Sequence, residues 1–201
     1  DNTTMRGERN GSLDSNDYYK ITAPAGNTSM YVALSHDNAS ASGSDNTIYV
    51  YRYIAEGNTP LVSSFSSNNG VDDNMTFGIV EGSIYLINVG VNSDFGDSTS
   101  SYTRYRYQLL ASFGTEVYEI EQNNSTLTAQ RITAGTTYTG GYSGNSVEDS
   151  SSVIDYFKVD ATSNTMTVSI SHVSALAADS DWGVSIHDSS GNEFDSFVAD
   201  D

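Results

Sequence analysis

The chain has 201 residues, 37% of them hydrophobic, and its 26 acidic residues against 8 lysines and arginines give a formal net charge of −18. Such a field repels nucleic acid and anionic lipid and attracts cations, so we predict no nucleic-acid partner. With no cysteine, the chain cannot form disulfides, thiolate metal sites or a cysteine nucleophile. An acidic surface that only keeps the protein soluble is the alternative explanation of the charge. No apolar run is long enough to cross a bilayer, so we predict no membrane insertion.

Short strands separated by turn residues are predicted throughout the first half of the chain. Residues 1–12 are predicted to form a loop or a weak edge strand. Apolar and polar residues alternate clearly around Ile48 and Ile84, and no segment has a capped 3.6-residue period, so we expect little or no helix. The predicted strands cover residues 17–22, 29–36, 47–54, 60–66, 74–79, 84–91 and 102–111. This pattern predicts an all-β fold, an antiparallel β-sandwich or jelly roll.

Part of the sequence occurs twice. Residues 17–21 return as 155–159, and residues 30–36 return as 166–172. Further along, the matching positions are Asp45, Ile48, Val50 and Tyr51 with Asp181, Val184, Ile186 and His187, then Gly57-Asn58 with Gly191-Asn192, and Ser64-Phe65 with Ser196-Phe197. A repeat of this length indicates two homologous domains in tandem. We place them at residues 1–114 and 115–201.

The second copy is predicted to be incomplete. Its strands are expected near residues 127–133, 136–141, 154–160, 165–172, 182–188 and 193–198. Counterparts of the first-copy strands at 74–79, 84–91 and 102–111 do not follow, and the first copy has no counterpart of residues 116–133. A sandwich short of three strands leaves open edges. Either a longer polypeptide completes the sheet, which we favour, or another copy of the chain donates strands.

Several motifs carry a family resemblance. They lie at residues 11–21, 82–89, 105–109, 118–129 and 155–159, and so they are spread over most of the chain, from residue 11 to residue 159. Their order and repetition resemble the bacterial pre-peptidase C-terminal domain. The resemblance implies a non-catalytic β-sandwich, of the kind found in secreted proteases, collagenases and large surface adhesins. It also implies a secreted or cell-surface location, with neighbouring domains of a larger polypeptide as partners.

The strongest candidate for a metal site is the acidic segment after residue 118. Alternate side chains of an extended strand share a face, so Glu119, Glu121 and Asn123 can converge their oxygens, and Asn124 adds another from the bend. Carboxylate and amide oxygens are calcium ligands, so we predict a Ca²⁺ site. The resemblance to collagenase-type relatives adds a further set: Glu148, Asp149 and Asp155. The alternative is a solvated acidic edge followed by an Asn-Asn turn.

Alternating tyrosines mark a candidate ligand-binding face. Tyr49, Tyr51 and Tyr53 alternate on one predicted strand, and Tyr105 and Tyr107 alternate on another. Exposed, these rings would suit a peptide, collagen-like or glycan ligand, because each offers contact area and a hydrogen-bonding tip. The alternative is that the rings pack inside the sandwich.

Catalytic chemistry has little support in the sequence. His36 and His172 occupy equivalent strand ends of the two copies, which favours a structural role, and His187 stands alone. No nucleophile lies beside a base, and no zinc-helix or phosphate-loop motif occurs. We therefore predict that the chain is not an enzyme. Two hypotheses have more support than an enzyme: a calcium-stiffened accessory, linker or substrate-binding module, and a ligand-binding domain of a large calcium-dependent adhesin.

Overall fold

The computed structural model describes residues 3–10, 16–36, 46–67, 73–91, 104–140, 154–171 and 182–199. These residues form strands and loops and include no helix, which confirms the all-β prediction. It follows that the described residues contain no helix that could span a membrane. The strands are β1 (Thr3–Asn10), β2 (Asn16–Thr22), β3 (Ser29–His36), β4 (Asn46–Tyr53), β5 (Leu61–Ser67), β6 (Asp73–Gly78), β7 (Ile84–Val91), β8 (Arg104–Gly114), β9 (Gln130–Arg131), β10 (Phe157–Lys158), β11 (Trp182–His187) and β12 (Glu193–Ala199).

Two four-stranded antiparallel sheets form a sandwich, as predicted. The first has the strand order β1-β8-β3-β6 and the second the order β2-β7-β4-β5. The consecutive strands β2 and β3 lie in different sheets, and so do β5 and β6. Connections of this kind bring the inner faces of both sheets onto one shared core.

The core consists of the residues at alternate positions of these strands. In β7, Tyr85, Ile87 and Val89 face inwards and are at most 1% exposed. Burying one such side chain stabilises the fold by roughly 1.5–3 kcal/mol. The other fully enclosed aliphatic core residues are Met30, Val32, Leu34, Ile48, Val50, Leu109 and Ala111. The alternation in the sequence thus becomes a two-sided core because both sheets contribute one apolar face.

A partly buried polar cluster joins the two sheets next to this core. Tyr107 of β8 is 3% exposed, and its hydroxyl donates a hydrogen bond to the carboxylate of Asp17 on β2. The Tyr19 hydroxyl lies 2.7 Å from the Tyr107 hydroxyl. Gly7 of β1 lies opposite Tyr107, and a Cβ atom at that position would overlap the tyrosine ring. Glycine at position 7 therefore leaves the space that the ring occupies.

Two details of the predicted strand pattern change. Residues 3–10 form a true edge strand, β1, which pairs with β8 along its length. The strands predicted at 136–141 and 165–172 are not formed by the residues that the structure describes there, where only an isolated bridge joins Tyr118 and Thr139. A strand requires a hydrogen-bonded neighbour as well as a suitable local sequence, so local alternation was insufficient evidence for these two.

The chain divides into two compact units, residues 1–160 and residues 161–201. The first unit holds the sandwich together with the segment that follows β8, including the short parallel pair β9 and β10. The second unit holds the hairpin of β11 and β12. The predicted boundary at Gly114 concerns the sequence repeat rather than compactness, and it stays a prediction.

Candidate calcium site and tyrosine face

The acidic segment after β8 is packed against the end of the sandwich. The Glu119 N–H donates a 2.9 Å hydrogen bond to the Thr139 carbonyl, and the Thr139 N–H donates a 3.0 Å bond to the Val117 carbonyl. At the end of β6, a Cβ atom added to Gly78 would overlap the backbone carbonyl of Glu119. The backbone of the segment is therefore fixed by direct contact with β6 and by hydrogen bonds to residues 117 and 139.

A strained turn follows Glu121. Gln122 has a φ of 72°, a left-handed conformation that costs a residue with a side chain about 1 kcal/mol or more. Its side-chain Nε2 donates to the Leu61 carbonyl at 3.2 Å. The next residue, Asn123, accepts a 2.9 Å hydrogen bond at its carbonyl from the Tyr156 N–H. This bond brings the backbone next to Asp155 against the acidic segment, across more than thirty residues of sequence.

Asn123 is the most unusual residue in the segment. Its side chain is 0% exposed, and neither its Oδ1 nor its Nδ2 atom has a hydrogen-bond partner. Buried polar atoms are nearly always bonded, and leaving one without a partner costs about 1–3 kcal/mol. A hard cation would satisfy the carbonyl oxygen, since asparagine oxygens are common calcium ligands. The donor chemistry at this position therefore fits calcium.

The carboxylate of Glu119 is also enclosed. Glu119 is 6% exposed, and a Cβ atom added to Gly140 would lie 3.2 Å from both of its carboxylate oxygens. Burying an ionised carboxylate is costly unless its charge is compensated. A negative oxygen donor in an enclosed position next to Gly140 suits a divalent cation. Glu119 and three other predicted ligands, Glu121, Asn124 and Asp155, each interact with a further group of the protein.

The structure describes only some of the predicted calcium ligands. Glu148 and Asp149 lie outside them, so the structure does not place these two predicted ligands. Over the described ranges, no group of three histidine, aspartate or glutamate side chains is close enough to hold a metal ion. Calcium takes about six to eight oxygen ligands. Glu119 and Asn123 are the two predicted ligands that the structure buries.

A group of tyrosines lies on the outer face of the sheet β2-β7-β4-β5. Tyr18 of β2 lies across Asn88 of β7 from Tyr49 of β4. The rings of Tyr49 and Tyr51 stack with centroids 6.2 Å apart and an interplanar angle of 27°. Tyr18 is 65% exposed and Tyr53 is 38% exposed. We call these four tyrosines the tyrosine face.

Polar groups accompany the rings. Asn88 is 6% exposed, and its side-chain Oδ1 is buried without a hydrogen-bond partner. The ammonium group of Lys20 lies 5.9 Å from the centroid of the Tyr53 ring, in a cation–π contact. Burial, followed by the charges of Tyr18 and Tyr49, raises the pKa of Tyr51. The Tyr51 hydroxyl therefore stays neutral at physiological pH and can both donate and accept hydrogen bonds.

The structure separates the predicted tyrosines. Tyr49, Tyr51 and Tyr53 lie together on the tyrosine face, as the alternation indicated. Tyr107 is buried between the sheets, which corrects its assignment as a ligand-binding residue, because its hydroxyl is used by Asp17 inside the core. Tyr105 lies on β8, but its side chain is outside the described part. Tyrosine packing, the alternative interpretation, applies to Tyr107.

Sequence reasoning missed Tyr18 and Lys20. Both face outwards on β2 and are exposed in its alternating burial pattern. Their alternation with Tyr19 and Ile21 can be seen in the sequence. The sequence does not show that a single strand, β7, separates β2 from β4 in the sheet. Strand order is a tertiary property, so no local sequence signal could show that these residues join the face.

Of the three histidines, the structure describes the side chain of one. The His187 Nδ1 atom lies 3.3 Å from the Gly191 carbonyl at the turn between β11 and β12, in an exposed position. His172 and the side chain of His36 are outside the described residues. The absence of catalytic activity remains a prediction.

Comparison with known proteins gives no family. No protein-family model matches the chain, and no curated protein is similar enough to count as a relative. Solved structures show distant similarity. A mitogen from Yersinia pseudotuberculosis shares 14% identity over 56% of this chain and 85% of its own, with a TM-score of 0.38. PliG, a periplasmic inhibitor of g-type lysozyme from Aeromonas hydrophila, shares 14% over 56% and 85%, with a TM-score of 0.35.

A third similar structure is CorA, a surface-associated copper-binding protein of Methylomicrobium album BG8. It shares 13% identity over 55% of this chain and 93% of its own, with a TM-score of 0.41. All three TM-scores are below 0.5, so we take no functional argument from these proteins.

Proposed function

We propose that the chain is a non-catalytic, calcium-binding β-sandwich module of a larger secreted or cell-surface bacterial protein, in which it serves as an accessory, linker or substrate-binding domain. The observation that carries this proposal is Asn123, a fully buried amide whose two polar atoms have no partner. The enclosed carboxylate of Glu119, four residues earlier, supports it with a negative donor. The sequence resemblance to the pre-peptidase C-terminal domain supports the proposed place of this module in a larger secreted or cell-surface protein.

Bound calcium would supply positive charge to a segment that is rich in carboxylates. Glu119 and Asn123 would hold the ion, with Glu121, Asn124 and Asp155 as further candidate ligands. Glu119 is tied to residue 139 and Asn123 to residue 156 by backbone hydrogen bonds. Holding these two residues together would therefore stiffen the segment that follows β8. This is the mechanical property that a linker or accessory domain needs.

Replacement of Asn123 by alanine tests the site with two opposite expectations. Without calcium, Asn123→Ala should leave the melting temperature unchanged or raise it, because it removes a buried amide that has no partner. With calcium at about 100 times its dissociation constant, the wild type should gain about 2.7 kcal/mol, and the variant should lose most of that gain. Isothermal titration measures the dissociation constant for calcium, and thermal denaturation measures the melting temperature with and without it. Magnesium serves as the comparison ion in both experiments.

A charge-matched pair of variants provides the control. Glu119→Gln should abolish calcium binding, whereas Glu116→Gln, at an exposed carboxylate three residues earlier, should not. Absence of calcium binding to the wild type at millimolar concentration would refute the proposal. So would an equal calcium response in the wild type and in Asn123→Ala.

The second candidate function is ligand binding by a domain of a large calcium-dependent adhesin. It is favoured by the tyrosine face, where Tyr18 and Tyr53 are exposed beside stacked rings and Asn88 keeps an unpartnered oxygen. Aromatic rings with hydroxyl tips bind extended peptides and sugar rings alike. A peptide, collagen-like peptide or glycan is the class of ligand we propose for it.

Arrays of glycans and of extended and triple-helical peptides would identify such a ligand. For any ligand found, Tyr18→Ala and Tyr53→Ala should each weaken binding about tenfold, the loss of about 1.4 kcal/mol expected for an exposed aromatic contact. Tyr31→Ala, on β3 of the opposite sheet, is the control and should leave the affinity unchanged. The tyrosine face is not the binding surface if Tyr31→Ala weakens binding as much as Tyr18→Ala and Tyr53→Ala do. The same conclusion follows if Tyr18→Ala and Tyr53→Ala leave the affinity unchanged.

A further inference from the structure

The hairpin of the second unit repeats the strand pairing of a hairpin of the sandwich. β11 and β12 correspond to β4 and β5, and both hairpins shift register at the same point, after Val50 in one and after Ile186 in the other. The paired residues correspond one for one: Ile48↔Phe65 with Val184↔Phe197, Val50↔Ser63 with Ile186↔Asp195, and Tyr51↔Leu61 with His187↔Glu193. The sequence repeat is therefore also a structural one in this hairpin.

The two hairpins differ in burial. In the sandwich, Ile48 and Val50 are 0% exposed, whereas their counterparts Val184 and Ile186 are only half-buried. Phe194 is 64% exposed. Its counterpart in the sandwich is Val62, which is 8% exposed. Phe194 follows Glu193, the partner of His187, and Val62 follows Leu61, the partner of Tyr51. The second hairpin thus leaves partly exposed a face that the first hairpin buries. On this face Asp195 pairs with Ile186, where Ser63 pairs with Val50 in the sandwich.

The segment before β11 shows the same contrast. Three apolar residues at alternate positions are exposed, where their counterparts in β3 are each 0% exposed. The exposed fractions are 46% for Met166, 40% for Val168 and 39% for Ile170, and the counterparts are Met30, Val32 and Leu34. Contiguous exposed apolar residues of this kind mark an interaction surface.

The sandwich itself shows what covers such a hairpin. The second edge of β4 pairs with β7 along its whole length, residues 46–53 against residues 84–91. β7 places Tyr85, Ile87 and Val89 in the core. Across the described ranges, β11 pairs with β12 alone, so its other edge has no strand there. An edge with an apolar face beside it is a template for an added strand.

We propose that the edge of β11 away from β12, which has no strand within the described ranges, is an acceptor site for an antiparallel β-strand of the β7 type, together with the face formed by Val184, Ile186 and Phe197. The partner is a polypeptide segment with large apolar residues at alternate positions and no charge, as in the β7 sequence IYLINVGV. An uncharged strand avoids repulsion from a chain of net charge −18. The β7 strand of a second copy is already paired on both edges, with β2 and β4, so a folded copy does not supply it.

A single tryptophan makes this proposal directly measurable. Trp182 is the one tryptophan in the sequence, and it is the first residue of β11. A synthetic peptide with the sequence of residues 82–91 contains no tryptophan, so a fluorescence change on adding it to the full chain reports on the acceptor site. We expect a saturable change. A control peptide in which the residues at the positions of Tyr85, Ile87 and Val89 are all serine should produce none.

Two variants of the full chain locate the binding. Val184→Lys, on the apolar face, should weaken peptide binding at least tenfold, whereas Ser185→Lys, on the opposite face of the same strand, should leave it unchanged. Circular dichroism and backbone hydrogen exchange of β12 show whether each variant keeps the hairpin. If Val184→Lys loses the hairpin, Val184→Ser replaces it with the same expectation. The titration is repeated with and without calcium, because the proposal does not depend on the calcium site.

Three outcomes would overturn the proposal. The first is no fluorescence change with the β7 peptide. The second is a loss of selectivity, either because the serine control peptide binds as well as the β7 peptide or because the Val184 variants bind the β7 peptide as well as the wild type does. The third is self-association of the chain, seen by light scattering and abolished by Val184→Lys, since it would assign the face to a second copy. A calcium titration that fails while the peptide binds leaves this acceptor site intact and refutes only the calcium proposal.

Discussion

Gly78→Ala is expected to destabilise the first unit by about 3 kcal/mol, the upper part of the range for an overpacked site. A Cβ atom there would overlap the carbonyl oxygen of Glu119 and lie 2.8 Å from its carbonyl carbon. Both atoms are backbone, so no side-chain rotation relieves the overlap, and residues 117–119 must move away from the end of β6. Urea denaturation followed by circular dichroism measures the loss.

Gly183→Ala is the matched control. Gly183 lies in β11, its φ is not in the left-handed region, and an added Cβ would meet nothing within 4 Å. We expect a change within about 0.5 kcal/mol for this variant. Because Gly78 supports the backbone of Glu119, Gly78→Ala should also weaken any calcium binding. An unfolding free energy equal to that of the wild type would show that the acidic segment does not pack on β6.

Stability is expected to fall steeply above about pH 10. Burial, and then the hydrogen bond to Asp17, raise the pKa of Tyr107 well above its ordinary value, and burial raises that of Tyr85. The folded state therefore favours the neutral hydroxyls. Their contribution is fully present below the unfolded pKa of about 10 and is lost as the pH rises towards the folded values, by up to about 1.4 kcal/mol per pH unit for each group.

Urea unfolding at a series of pH values, compared between the wild type and Tyr107→Phe, measures this dependence. The variant should lose stability less steeply above pH 10. At pH 7 it should be less stable by about 1–3 kcal/mol, because the carboxylate of Asp17 loses its donor and the Tyr19 hydroxyl its neighbour. Equal slopes in the two proteins would show that folding does not raise the pKa of Tyr107.

Local sequence was sufficient for most strands of the sandwich. The predicted ranges near β2 to β8 agree with the structure to within a few residues, because alternation and turn residues act over short distances. The internal repeat was also readable, and the matching registers of the β4–β5 and β11–β12 hairpins agree with it. Strand partners were not readable, since pairing depends on which distant segments meet. This is why β1 was only a weak candidate and why residues 165–171 form no strand.

The candidate sites divide in the same way. The sequence alone determined that Glu119 and Asn123 belong to one oxygen-rich segment and that Tyr49, Tyr51 and Tyr53 share one face of a strand, because both statements follow from the two-residue period of extended chain. Only the tertiary structure decided that Asn123 is buried without a partner, that Tyr107 belongs to the core and that Tyr18 joins the tyrosine face. Burial and neighbours depend on how the two sheets pack, and that packing is the sum of contacts between residues far apart in sequence.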